Sequence, residues 1–202
     1  MNVIVTAPHV CLIPKRIDRS CDYGTDKFAE EVLDAVKNSG VKYLNARLFV
    51  TDIARRSCDT NRKICSTVSD MRIALTEHME KLKRKGRPFL LFDVHSFGRN
   101  VGAFGYAPGT EPYIVLLALY KYDKALAEIL LRQLKNHGVS AALLGGSLDN
   151  DIIYEAAQNG GQGVLIEFPE DADINSDPFS NTMKAIKETV QEFNYLHPLR
   201  II

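Results

Sequence analysis

Two histidines and a glutamate are set against apolar sequence in a way that suggests chemistry. His9 follows Val3-Ile4-Val5-Thr6-Ala7-Pro8, and His95 follows the run 88–94 (PFLLFDV) directly. Glu167 lies inside Val164-Leu165-Ile166-Glu167-Phe168. A carboxylate in such a run is costly to bury unless something pairs with it. One histidine alone is most simply a hydrogen-bonded core or loop residue. Two histidines and a carboxylate, each at the end of a different apolar run, form a different pattern. Two imidazoles, one carboxylate and a water make a standard catalytic zinc set. His9 and His95 supply the nitrogens, and the third ligand should be an acid. Asp18, Asp22 and Asp26 all follow His9 within reach, and spacing does not choose among them. Each is equally at home capping a helix or making a turn.

Further polar residues cluster around this core. Asp93 stands two residues before His95, so on a strand both face the same side, and it could orient a histidine ring as an outer carboxylate. The segment 55–62 (RRSCDTNR) is either a solvated loop or the source of a guanidinium fork for a substrate carboxylate. Gly145-Gly146-Ser147 reads as a flexible loop without the context of a phosphate-binding motif. Cys11 near His9 permits a Cys–His nucleophilic pair, with less support than the metal site.

The elements that must position these residues alternate along the chain. Val3–Val5, Tyr43–Val50, Pro88–Val94, Ile114–Leu119, Ala141–Leu144 and Val164–Phe168 read as strands. Phe28, Val32, Leu33 and Val36 mark one helix face, closed by Gly40. Val68, Met71, Leu75, Met79 and Leu82 mark a second, with Ser66 or Thr67 as cap and Gly86 as stop. Asp123 can cap a third helix bearing Leu126, Leu130 and Leu134. Asp177-Pro178 opens a last one bearing Met183, Ile186, Val190 and Phe193. This alternation predicts a three-layer α/β sandwich around a mostly parallel or mixed sheet, a single domain over residues 1–202. Ligands of such sheets gather at the carboxyl ends of strands, where His9, His95 and Glu167 fall.

Composition excludes other classes. Lys plus Arg equals Asp plus Glu, at 25 each, so no global charge points to nucleic acid or an anionic membrane. The basic run Lys81–Arg87 sits at a helix C-terminus, where cations suit the macrodipole. No apolar stretch approaches the length of about 20 residues that spans a bilayer. The first residues lack the form of a signal peptide, and the four cysteines show no CxxC spacing. Free thiols and a cytoplasmic setting are expected.

Taken together, the motifs resemble those of the N-formylglutamate amidohydrolases, distant relatives of the zinc carboxypeptidases and aspartoacylases. Pro8-His9 is similar to the family's Pro-His-Ser-Gly, with Val10-Cys11 in place of Ser-Gly. Asp22-Tyr23, followed by Asp26 and Phe28, is similar to its Asp-Trp motif. Asp59-Thr60-Asn61-Arg62 is similar to Asp-Leu-Asn-Arg, Phe92–Ser96 to Leu-Asp-Cys-His-Ser, and Gly145-Gly146 to a late Gly-Gly pair. Ile166-Glu167 is similar to the segment carrying the catalytic glutamate. The resemblance runs from residue 8 to about residue 168. It implies a zinc-carboxypeptidase-like fold and one zinc per chain held by His9, Asp22 and His95. It further implies Glu167 as general base, with Arg62, Asn61 and Arg55 for substrate. The partner would be a small N-acyl amino acid with a free carboxylate. The alternatives are a zinc peptidase or peptidoglycan amidase, and a catalytically silent metal-binding protein on the same fold.

Overall fold

Nine consecutive residues, Phe89–Phe97, are all buried, which requires packing on both faces of the strand they form. The computed structural model describes residues 1–12, 20–99, 102–118, 124–145 and 150–196. In chain order it contains β1 (Asn2–Ala7), α1 (Thr25–Lys37), β2 (Asn45–Val50), α2 (Asp70–Arg84), β3 (Phe89–Phe97) and β4 (Ile114–Ala118). These are followed by α3 (Lys124–Asn136), β5 (Ala141–Gly145), α4 (Asp151–Gln158), β6 (Gly161–Pro169) and α5 (Asp177–Leu196). The strands form one sheet in the order β2-β1-β3-β6-β4-β5. Neighbours are parallel except at β4–β6, so β4 and β5 run against the other four.

Alternation along each strand sorts side chains into two cores. On one face Val3, Val5, Leu90, Phe92, Val164 and Ile166 meet Phe28 and Val32 of α1, Leu126 and Leu130 of α3, and Ile186 and Val190 of α5. On the other, Ile4, Leu91 and Leu165 meet Leu75 and Met79 of α2 and Ile152 and Ile153 of α4. The result is the expected α/β sandwich, with a mixed sheet between two helical layers.

Several local expectations change. The second strand starts at Asn45, because Tyr43 takes a left-handed turn (φ 56°) and is 87% exposed. Ser69 caps α2, its Oγ accepting from the Arg72 amide at 3.2 Å. Thr67 is spent in a preceding 3₁₀ turn (Lys63–Thr67), and Val68 is exposed. The eight-residue α4, too short for a clear periodic signal, was not expected. Asp18, Leu119, Asp123, Gly146 and Ser147 lie outside the described residues.

The expected free thiols are instead two disulfides, Cys11–Cys21 and Cys58–Cys65, with Cα separations of 5.0 and 5.9 Å. Both close short loops whose return paths are tertiary features, invisible in the spacing. Pairing removes Cys11 as a nucleophile. Disulfides persist in oxidising compartments, so the thiol argument for the cytoplasm falls with it. Among the described residues, no helix is long and apolar enough to cross a membrane.

Candidate active site

On the α2/α4 face, three adjacent strands turn from apolar to polar toward the same end. Ile4 gives way to Thr6 on β1, Leu91 to Asp93 and His95 on β3, and Leu165 to Glu167 on β6. The register sets Thr6 beside Asp93 and His95 beside Glu167. Two loops complete the group. His9 comes from the turn after β1, and Asp22 from the residues before α1. Val10 and Asp22 form an isolated parallel bridge, and the Asp22 amide donates to the His9 carbonyl at 2.8 Å. That bridge ties the two loops side by side.

His9, Asp22 and His95 are all buried, and one ligand atom from each lies within 4.8 Å of the other two. His95 Nδ1 is 2.8 Å from Asp22 Oδ2, and His9 Nδ1 is 3.3 Å from the same oxygen. The rings meet edge to face with centroids 4.7 Å apart. On its far side each ring is gripped by another carboxylate. His9 Nε2 lies 2.7 Å from Asp59 Oδ1, and His95 Nε2 lies 3.2 Å from Asp93 Oδ2. Asp93 is fully buried and accepts from Thr6 Oγ1 and Asn150 Nδ2, both at 2.6 Å.

This arrangement has a consequence for the proton on each ring. When a neutral ring directs its Nε2–H at the outer carboxylate, its Nδ1 presents a lone pair toward Asp22. Among the described residues, buried His9 Nδ1 has no hydrogen-bond partner. Two lone pairs and a carboxylate aimed at one point repel unless a proton or a cation lies between them. Two imidazole nitrogens and a carboxylate oxygen suit zinc, so the residues present fit that ion.

The electrostatics agree. Burial pushes Asp22 up, but the adjacent His9 and His95 rings outweigh it and hold the carboxyl well below its usual range. For Asp59 burial is likewise outweighed, by His9 and Arg55, and its value falls to about 2. Asp93 stays below its usual value despite burial, because His95, Thr6 and Asn150 favour its anion. His95 is raised well above its usual value, burial being overcome by Asp93 and Asp22. Glu167 behaves oppositely. Burial pushes it up to about 7, aided by the charges of Asp22 and Asp93 and opposed by His95. A carboxyl near neutrality can both take and return a proton.

His9, Asp22, Asp59, His95 and Glu167 line one cavity of about 310 Å³, with Asp93 buried behind it. Arg55 and Arg62 also line it. Arg55 Nη1 donates to the Ser20 carbonyl at 2.8 Å and lies 3.3 Å from Asp22 Oδ1. Arg55 Nε and Arg62 Nε lie 3.7 and 3.8 Å from Asp59 Oδ2. Asn61 is buried, its amide nitrogen 3.4 Å from His95 Nε2. Of the described candidate acids, Asp22 converges with the histidines. Asp26 is exposed in the first turn of α1 and lines a different cavity. Gly145 ends β5, which runs against the central strands, and does not line the site.

Three participants were missed in the sequence. Asp59 grips His9 across 50 positions of chain, and it had stood only inside a resembled motif. Thr6 and Asn150 secure Asp93. Asn150 also caps α4, accepting from the Ile153 amide at 3.1 Å, and Asn150-Asp151 before Ile152-Ile153 was a legible cap signal.

No family model matches this sequence, and no curated protein matches it. The fold is nevertheless one shared with solved hydrolase structures. N-formylglutamate amidohydrolase from Ralstonia eutropha is 14% identical, with 96% of this chain and 93% of that one covered and a TM-score of 0.62. A gene product of Agrobacterium tumefaciens is 16% identical over 96% of this chain and 91% of that one, with a TM-score of 0.67. The catalytic domain of an N-acetylmuramoyl-L-alanine amidase from Bacillus (Paenibacillus) polymyxa is 13% identical over 95% and 97%, with a TM-score of 0.56. At these identities the likeness is one of fold, and it agrees with the fold class expected from the sequence.

Proposed function

We propose that the chain hydrolyses the amide bond of an N-acyl amino acid, with one zinc ion held by His9, Asp22 and His95. The observation that carries this reading is the convergence of those three buried side chains beside a carboxyl raised to about 7, in one cavity with two guanidiniums. Zinc supplies Lewis-acid polarisation of the scissile carbonyl and lowers the pKa of water toward about 7. Glu167 takes the proton of the attacking water and returns it to the departing amine. Asp59 and Asp93 fix the histidine rings from behind. Arg62 binds the substrate carboxylate with its planar fork, and Asn61 and Arg55 flank it. Neither a nucleic acid nor a membrane is part of this reading.

The test is amine release from a panel of N-formyl and N-acetyl amino acids, by zinc-loaded and metal-free protein. Activity that appears with zinc and requires a free substrate carboxylate supports the proposal. Equal rates on amide-capped compounds would favour a peptidase or cell-wall amidase. Zinc binding without turnover of any acyl compound would leave a silent metal-binding protein.

A further inference from the structure

One wall of the cavity has no task in the chemistry above. Phe97 ends β3, and Phe104 follows in the connection to β4. Their rings meet edge to face at 5.4 Å between centroids, and both line the cavity beside buried Leu165. Phe104 holds a left-handed backbone conformation (φ 57°, ψ 23°), which bulky side chains rarely adopt. The connection is built to keep it there. Gly102 and Gly105 on either side also have positive φ, 73° and 81°. The Glu111 carboxylate spans the segment, accepting from the Gly102 amide at 3.1 Å and the Gly109 amide at 2.7 Å. A strained residue held by its surroundings at a cavity wall is a feature of ligand sites.

Charge around the cavity bears on the same question. Asp22, Asp59 and Glu167 bring carboxyl groups to it, and among the described residues the guanidiniums that line it, Arg55 and Arg62, lie within 4 Å of Asp59. One substrate carboxylate can be received at Arg62. Among the described residues the other guanidinium, Arg55, is held between Asp22 and Asp59, so a second carboxylate would meet anions or the aromatic wall, where desolvation is costly.

We propose that Phe104, backed by Phe97, is a specificity-determining residue that selects substrates with an apolar group beside the scissile amide, in preference to N-acylglutamate. The inference rests on the hydrolysis reading and adds the substrate class to it. The apolar group is either the amino-acid side chain or the acyl chain; both bury the same kind of surface against the ring.

The experiment compares zinc-loaded protein on N-formylglycine, N-formylleucine, N-hexanoylglycine and N-formylglutamate. We expect kcat/KM for the leucine or the hexanoyl compound to exceed that for N-formylglycine by roughly tenfold or more. Which of the two is preferred assigns the wall to the side chain or to the acyl chain. N-formylglutamate should not exceed N-formylglycine. Phe104→Ala should lose about tenfold more on the preferred compound than on N-formylglycine, chiefly through KM, and Phe104→Leu should recover most of that loss. Preference for N-formylglutamate, or equal losses on all four compounds, overturns the proposal. If no compound is turned over, the hydrolysis reading fails, and the wall is judged by calorimetric titration of zinc-loaded protein. Tighter binding of N-acetylleucine than N-acetylglutamate, lost in Phe104→Ala, then supports it; the reverse order overturns it.

Discussion

The site has two halves that are held in different ways. Asp93, His95 and Glu167 stand on β3 and β6, fixed by nine registered residue pairs between the two strands. His9, Asp22, Asp59, Asn61 and Arg62 stand on loops, where no such ladder exists. In the loop half, short local bonds take its place, such as Asp22 to His9 and Arg62 to Asp59 at 2.8 Å each. Two disulfides reinforce them. Cys11 and Cys21 sit next to the His9 and Asp22 segments, and Cys58 and Cys65 bracket 59–62. The outer carboxylates differ in the same sense. Asp93 is fully buried with three partners, whereas the Asp59 side chain is 28% exposed and shared with two arginines. Regular structure supplies rigidity without extra bonds, and loops of the same site need cross-links to approach it.

The largest effect should come from the strand half. Glu167→Gln removes the proposed base and keeps the shape, so turnover should fall by about a hundredfold or more while zinc content is retained. Full activity with verified zinc would remove Glu167 from the chemistry. The same variant tests the electrostatics. Folded Glu167 titrates near 7, above its ordinary 4.5, so its stabilising protonated state is complete below about pH 4.5 and lost as pH rises through about 7. Glutamine does not titrate. Metal-free Glu167→Gln should therefore gain stability over wild type across that window, by up to about 3 kcal/mol. A constant difference in melting temperature from pH 5 to 8 would contradict the raised value.

Next come the outer carboxylates. Asp93→Asn should weaken zinc binding by about a hundredfold and Asp59→Asn by about tenfold, measured by chelator competition. Burial sets the order, because a buried partner is not replaced by water. A reversed order would break the comparison between the halves. Zinc binding should also release about one proton at pH 7, since His95 is raised and must lose its proton to bind. Calorimetry in buffers of different ionisation enthalpy measures that number.

Arg62→Lys should lose roughly ten- to a hundredfold in kcat/KM on substrates with a free carboxylate, and much less on their amide-capped forms. Equal losses on both would move Arg62 to the scissile carbonyl or to the fold.

The smallest effect on the site should follow from opening one cross-link. Cys58→Ser together with Cys65→Ser frees a loop closed across 7 positions, which should cost about 2–3 kcal/mol of stability. Zinc affinity should fall only a few-fold, through a less constrained Asp59. An unchanged affinity would show that the hydrogen bonds of the loop suffice.

The same division governs what could be read from the sequence. The strand half was legible, because an apolar run that breaks into His95 or encloses Glu167 is a signal carried by neighbouring residues. His9 was legible for the same reason. Residue spacing did not choose Asp22 over Asp26, because the choice depends on how the chain returns from residue 10 to residue 22. Family resemblance chose Asp22, the acid that lies beside both histidines. Asp59 and both disulfides were hidden, since each depends on loops meeting through folding. The reversed direction of β4 and β5 was hidden as well. Their apolar runs carry no mark of orientation, and Gly145, the last residue of β5, does not line the cavity.

The pairing of His95 with Glu167 also makes the site an audit of assembly. Successive strand residues face opposite sides, so a slip of β6 by a single position would turn Glu167 toward the α1, α3 and α5 layer. The three residues that would hold the metal stand on β3 and on the segment between β1 and α1. A refolding chain should thus regain zinc before it regains turnover, and the interval between the two would time the docking of its sixth strand.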